Sequence, residues 1–173
     1  MSGSTGRPLT AEEVRARNAE LDGELSRLAE RVTRGQLQVA VGKGEWTAAE
    51  ILAHVAEFAR YFAGDLERQL GAEDRDVGRT HDHPGRNQAI AAAAGRGLEE
   101  LRGDLALALD ELAKMLESLH DEHLGRIGNN RKYGPETLTV FLDRYVLDHK
   151  AAHIDQLRHT LDRPHYSELD AET

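Results

Sequence analysis

The chain has 173 residues, no cysteine and a formal net charge of −9. Disulfides, thiolate metal sites and a cysteine nucleophile are excluded, and the negative balance, with no Lys/Arg-rich stripe to offset it, repels nucleic-acid backbones. The length suits one domain with one core, while plentiful Ala, Leu, Glu and Arg, only 5% aromatics and no alternating β-branched runs favour an all-α fold.

Residues 1–8 read as a frayed, disordered tail. The stretch Met1–Glu13 has no apolar signal-peptide core, and no segment is long and apolar enough to span a membrane. The expectation is a cytoplasmic protein, and the Ala/Arg/Gly/Asp-rich usage suggests a bacterial source. Thr10 and Glu13 form a capping box, with Leu9 and Val14 placed as its hydrophobic staple. Val14, Leu21, Leu25, Leu28 and Val32 then recur at helical spacing towards Arg34-Gly35. After a glycine-rich connector, Thr47 and Glu50 repeat the box, and Trp46 can staple onto Ile51. The second helix carries Ile51, Val55, Phe58, Phe62 and Leu66 on one stripe and stops near Leu70-Gly71.

Residues 71–86 are a loop by composition. A third helix is expected from about Asn87, with Leu98, Leu101, Leu105, Ala108, Leu112, Met115 and Leu119 in a three–four rhythm. Gly95, Gly97 and Gly103 weaken its first half. The run 125–134 breaks the pattern, and Pro135 suits the first position of a fourth helix that extends to about Asp162. Four long amphipathic helices make a four-helix bundle over residues 9–163, with 164–173 as a C-terminal tail.

On a wheel of about 100° per residue, Leu138, Leu142, Tyr145, His149, Ala152, His153 and Gln156 share one stripe of the fourth helix. Arg144, Lys150 and Asp155 fall on its charged face. His149 and His153, four apart, point the same way and can share a cation. His54 lies at the edge of the second helix's apolar stripe and offers a third imidazole. Three protein ligands with an open position suit a catalytic zinc-type site, and imidazoles also suit nickel, copper or iron. Spacing alone leaves a second reading open, in which these are hydrogen-bonded histidines at the edge of the core.

Two stretches resemble the DinB-like (YfiT-like) superfamily of four-helix metalloproteins. Trp46–Glu57, "WTAAEILAHVAE", resembles its Trp-Ser/Thr…Ile-Leu-x-His-Leu segment. Thr137–Leu157, ending in "DHKAAHIDQL", resembles its His-x-x-x-His-hydrophobic-x-Gln segment. The resemblance implies that His54, His149 and His153 are metal ligands, with zinc or nickel the leading candidates, and that the protein forms a homodimer. It also implies a metal-dependent enzyme acting on a small-molecule substrate. A thiol S-transferase using a low-molecular-weight thiol cosubstrate is favoured. A hydrolase, a thiol-dependent isomerase and a non-catalytic, stress-related binding module are the alternatives. No catalytic residue is assigned.

Other features carry plainer readings. Glu57, three residues after His54, is a candidate to orient His54, line the pocket or act as a base, with a solvent-facing carboxylate as the plainer alternative. Tyr145 reads as a packing residue, with a substrate-facing hydroxyl as the alternative. Gln156 is polar on a core stripe and needs a partner, either a histidine or the pocket wall. His81-Asp82-His83 reads as solvated loop, His120–His123 as a helix C-terminal cap, and His159 and His165 as surface residues.

Overall fold

In the computed structural model, which describes residues 9–163, two capping boxes start the first two helices as expected. Helix α1 (Ala11–Arg31) opens with Thr10 Oγ1 accepting from Glu13 N while the Glu13 carboxylate accepts from Thr10 N. Helix α2 (Ala48–Gly71) opens the same way through Thr47 and Glu50. Each box satisfies two N–H groups that the first helical turn leaves unpaired. Helix α1 ends earlier than its sequence suggests, because Val32 turns extended and buries its side chain. The two expected tails, including His165, lie outside the described residues.

The expected third helix is two. Helix α3 (Pro84–Ala92) is followed by a 3₁₀ turn, Ala93–Gly95, and then by α4 (Leu98–Glu117). Gly97 is the extended N-cap of α4, so Gly95 and Gly97 mark a break between two helices. Pro135 is not the start of the last helix either. It lies in β3 (Gly134–Thr137), which pairs antiparallel with β2 (Ile127–Asn130), and β2 pairs parallel with β1 (Asp76–Val77). Asn130 makes the hairpin turn: its Oδ1 accepts from Lys132 N at 2.8 Å and Tyr133 N at 3.2 Å. Gly134 supplies the left-handed residue, φ 79°, that such a short turn needs.

Thr137 caps α5 (Leu138–Phe141), which continues through a π-helical segment, Leu142–Asp148, into α6 (His149–Asp162). In the wide turn, His149 N donates to Arg144 O, five residues back. Helix α2 is the centre of the bundle, packed on α3, α4 and α6. Its Ile51, Leu52, Val55, Phe58, Phe62 and Leu66 are buried, each worth roughly 1.5–3 kcal/mol against exposure. Helix α1 packs against α4 and α6, so the last helix is covered on two sides. None of the helices is long and apolar enough to cross a membrane, among the described residues.

Candidate metal centre and its pocket

Helices α2 and α6 pack side by side, and the three histidines meet where they do. One nitrogen from each of His54, His149 and His153 lies within 4.8 Å of the others. His54 is 2% exposed, and its Nδ1 has no hydrogen-bond partner. An unpaired buried ring nitrogen is costly, and the ring that carries it packs against two further imidazoles, with centroids 5.6 Å and 4.8 Å away. His153 Nδ1 faces Gln156 Oε1 at 2.9 Å. An amide oxygen only accepts, so this bond places the proton on Nδ1 and leaves Nε2 as a lone-pair donor.

Aromatic rings fix the imidazoles in place. Trp46 stacks on His153 with centroids 5.9 Å apart and meets His54 edge-on at 5.2 Å. Phe58 stacks on His149 at 4.5 Å. Burial holds all three histidines below the ordinary imidazole pKa of 6.5, and the neighbouring imidazoles lower His54 and His149 further. His54 is pushed down to about 2 and His149 to about 3. All three are therefore neutral at physiological pH, the form that ligates a metal. The donor set, three neutral imidazoles with one nitrogen each within 4.8 Å of the others, fits a divalent transition metal.

The imidazoles open into a cavity of about 290 Å³. Tyr145 lines it, stacked on Phe62 at 4.6 Å, with its hydroxyl accepting from Asn130 Nδ2 at 2.9 Å. Tyr145 therefore packs in the wall of the cavity, with its hydroxyl tied to Asn130. Gln156 finds its partner in His153.

Glu57 is only partly exposed, so of its two readings the fully solvent-facing one does not hold. It grips Arg79 through both carboxylate oxygens, Nη2 to Oε2 at 2.5 Å and Nη1 to Oε1, and its Oε2 lies 3.9 Å from His54 Nδ1. The 71–86 segment folds back over α2 because β1 pairs with β2, and this brings in Arg79, itself 8% exposed. Gly78 makes the approach possible. Its N–H donates to Asp65 Oδ2 at 2.8 Å, its φ is 73°, and a Cβ there would meet Asn130 Oδ1 at 2.7 Å.

Two residues on the expected charged face are also elsewhere. Lys150 is fully buried and bonded to Asn18 and Asp22 of α1. Arg144 lines the cavity, paired with Glu136. The wheel missed them because α6 has helical neighbours on two sides and because the π segment breaks the 100° phase. Ala152, expected on the buried stripe, is exposed. His81 reaches the cavity wall, whereas His83 accepts from Gly85 N as the cap of α3. His123 Nδ1 accepts from His120 N at a local 3₁₀ turn, and His159 is a surface residue 3.6 Å from Glu45. Arg79, Arg86, Lys132 and the wall role of Trp46 had no signal in the sequence beyond basic residues in loops.

Comparison with known proteins identifies the class. The family model for the mycothiol maleylpyruvate isomerase N-terminal domain matches residues 18–161, and the chain belongs to that family. No curated protein matches the chain. Among solved structures, YfiT from Bacillus subtilis, a probable metal-dependent hydrolase with an unusual four-helix bundle topology, is similar at TM-score 0.72 and 18% identity, over 92% of this chain and 90% of that one. The mycothiol-dependent maleylpyruvate isomerase is similar at TM-score 0.67 and 16% identity, over 92% of this chain but 62% of its own. An uncharacterized protein from Clostridium difficile 630 reaches TM-score 0.64 at 14% identity, over 87% of this chain and 94% of that one. The fold is thus the DinB-like four-helix bundle that the Trp46–Glu57 and Thr137–Leu157 segments suggest.

Proposed function

We propose that His54, His149 and His153 bind one divalent transition metal, zinc or nickel, and that the chain is a metal-dependent enzyme acting on a small molecule. The observation that carries this reading is the convergence of three neutral imidazole nitrogens within 4.8 Å at the base of an open cavity. A bound ion would supply the positive charge that lowers the pKa of a thiol or water at its open position. The chain's own residues do the rest. Gln156 fixes the tautomer of His153, Trp46 and Phe58 hold the ring planes and keep bulk water from them, and Arg79 neutralises the carboxylate nearest His54.

The favoured reaction is thiol S-transfer. The chain has no cysteine, so the sulfur comes from a small thiol cosubstrate, and membership of a family named for a mycothiol-linked isomerase supports this. A hydrolase is the second reading, supported by the likeness to YfiT over 90% of that chain. A homodimer belongs to the same proposal and is read by sedimentation.

The test uses untagged protein. Metal analysis should find close to one equivalent per chain after reconstitution, and alanine at any one of the three histidines should abolish it. Less than a tenth of an equivalent in the parent chain would end the reading. Thermal unfolding gives the second readout: metal at a hundredfold excess over Kd stabilises by about 2.7 kcal/mol, and chelator should remove that gain. Turnover of a generic electrophile with small thiols, against ester hydrolysis without them, separates the two reactions.

A further inference from the structure

We propose that Glu57, clamped by Arg79, positions His54 by holding its proton on Nδ1, so that Nε2 is the nitrogen left to bind a metal. The use of that nitrogen rests on the metal reading above, whereas the place of the proton stands on geometry. Two of the three cluster histidines carry an oxygen acceptor three residues further along the same helix, Gln156 for His153 and Glu57 for His54. Residues three apart on a helix are neighbours on its surface. For His153 the bond is made, at 2.9 Å. For His54 the distance from Nδ1 to Glu57 Oε2 is 3.9 Å, longer than a hydrogen bond by about 1 Å, and Nδ1 has no other partner. At that distance the carboxylate still chooses between the two neutral forms of the ring. With the proton on Nδ1, the positive end of an N–H dipole faces the anion. With the proton on Nε2, a lone pair faces it, and burial strengthens the difference.

Arg79 keeps the carboxylate in that place. Its Nη2 donates to Oε2 at 2.5 Å and its Nη1 to Oε1, a two-pronged pairing that fixes the plane of a carboxylate as well as its position. The guanidinium is itself packed, with its carbon 4.4 Å from the centre of the Tyr61 ring. Tyr61 in turn donates from its hydroxyl to Gly78 O at 3.1 Å. A carboxylate oxygen has room for a second donor, so the fork leaves Oε2 able to take the His54 proton. Trp46 and Phe58 hold the plane of the His54 ring through T-shaped contacts, with centroids 5.2 Å and 5.5 Å away. Glu57 thus sits between a fixed cation and a fixed imidazole. A carboxylate that only tied the Arg79 segment to α2 would serve through its charge. One that positions His54 serves through its acceptor oxygen, and the two roles can be separated.

The experiment reads the proton's place directly, from proton–nitrogen NMR correlations of the imidazole rings in isotope-labelled, chelator-treated protein at neutral pH. The His54 signals are identified by their loss in His54→Asn. In the parent chain His54 should carry its proton on Nδ1. Glu57→Leu should move it to Nε2, the form that an imidazole without a partner prefers. His153, held by Gln156, should keep its Nδ1 proton in that variant and so report that the site is still folded. Glu57→Gln should behave like the parent, because an amide oxygen can accept from Nδ1 as Gln156 does, although the charge that pairs with Arg79 is gone. Metal affinity, measured with zinc against a chromophoric chelator, should fall about tenfold or more in Glu57→Leu and stay close to the parent's in Glu57→Gln. A parent His54 protonated on Nε2, a folded Glu57→Leu that keeps the Nδ1 proton, or Glu57→Gln shifting as far as Glu57→Leu would overturn the proposal. If Glu57→Leu does not fold, the parent spectrum still decides, since a partnerless ring disfavours the Nδ1 form and the Glu57 carboxylate is the acceptor beside that nitrogen. The proton is located without metal, so a chain that binds none would end the metal reading and leave this result standing.

Discussion

Lys150 Nζ lies 2.5 Å from Asn18 Oδ1 and also bonds the Asp22 carboxylate, so a fully buried lysine ties α6 to α1. Burial pushes the Lys150 pKa down and that of Asp22 up. His149 is its neighbour in sequence, on the side of the helix that faces α2. The ion pair and the histidines therefore engage two different faces of the same helix, about 100° apart.

Lys150→Met keeps the length of the side chain and strands Asp22 against an apolar neighbour. Losing one partner of a buried pair costs about 3 kcal/mol. Replacing both, Lys150→Met with Asp22→Leu, should recover most of that loss, since an apolar pair of similar volume is often neutral. Urea unfolding of the four chains of this cycle checks it. A double variant no more stable than Lys150→Met would show that Asp22 is not the stranded group.

Gln156→Leu removes the acceptor that holds the His153 proton on Nδ1. If the histidines hold a metal, affinity should fall by about 10–100-fold while the fold is kept. Competition against a chromophoric chelator measures this. Unchanged affinity would mean that the ring is oriented by Trp46 and Phe58 packing alone.

Acid should unfold the metal-free chain through the same histidines. Their folded pKa values lie below the ordinary 6.5, at about 2 for His54 and about 3 for His149. Below pH ~6.5 the unfolded chain takes up protons that the folded chain refuses. Stability contributed by the neutral rings is complete above that pH and is lost as pH falls towards the folded values, at about 1.4 kcal/mol per pH unit per group. Asp22 and Asp65 have raised pKa values and act in the opposite sense. The comparison is therefore made with His149→Gln, whose stability curve between about pH 6 and pH 4 should be shallower by one proton's slope. Parallel curves would refute the assignment.

Gly78→Ala puts a Cβ at 2.7 Å from Asn130 Oδ1 on a residue with φ 73°. The strained backbone alone costs about 1–3 kcal/mol. The side chain it displaces, Asn130, also holds Tyr145 and the hairpin turn. Loss of stability should thus come with faster hydrogen exchange at Lys132 and Tyr133, whose N–H groups Asn130 accepts. Destabilisation with those two amides still protected would localise the damage to Gly78 itself.

Much of the bundle was legible in the sequence, and for physical reasons. Thr10, Glu13, Thr47 and Glu50 announce two helix starts because capping is local chemistry. His54, His149 and His153 could be placed on core-facing stripes because helical phase carries over a few turns. The small sheet was not legible. Its strands are two to four residues long, too short for alternation to show, and β1 pairs with a segment more than fifty residues away. The partner of Glu57, Arg79, was not legible because it arrives through that pairing. Lys150 was misread because a wheel describes one helix and says nothing of how many neighbours cover it.

The wide turn at Leu142–Asp148 gives the last helix a reading frame. A residue removed between Thr137 and His149 would shift everything beyond it by about 100° around the axis, unless the π segment closed up to absorb the loss. That segment, an interruption of regular α-helix, is thus the one place in the helix where length can change without turning His149 and His153 away from His54. A single-residue deletion inside it should spare the histidine cluster, whereas the same deletion at Thr139 should scatter it.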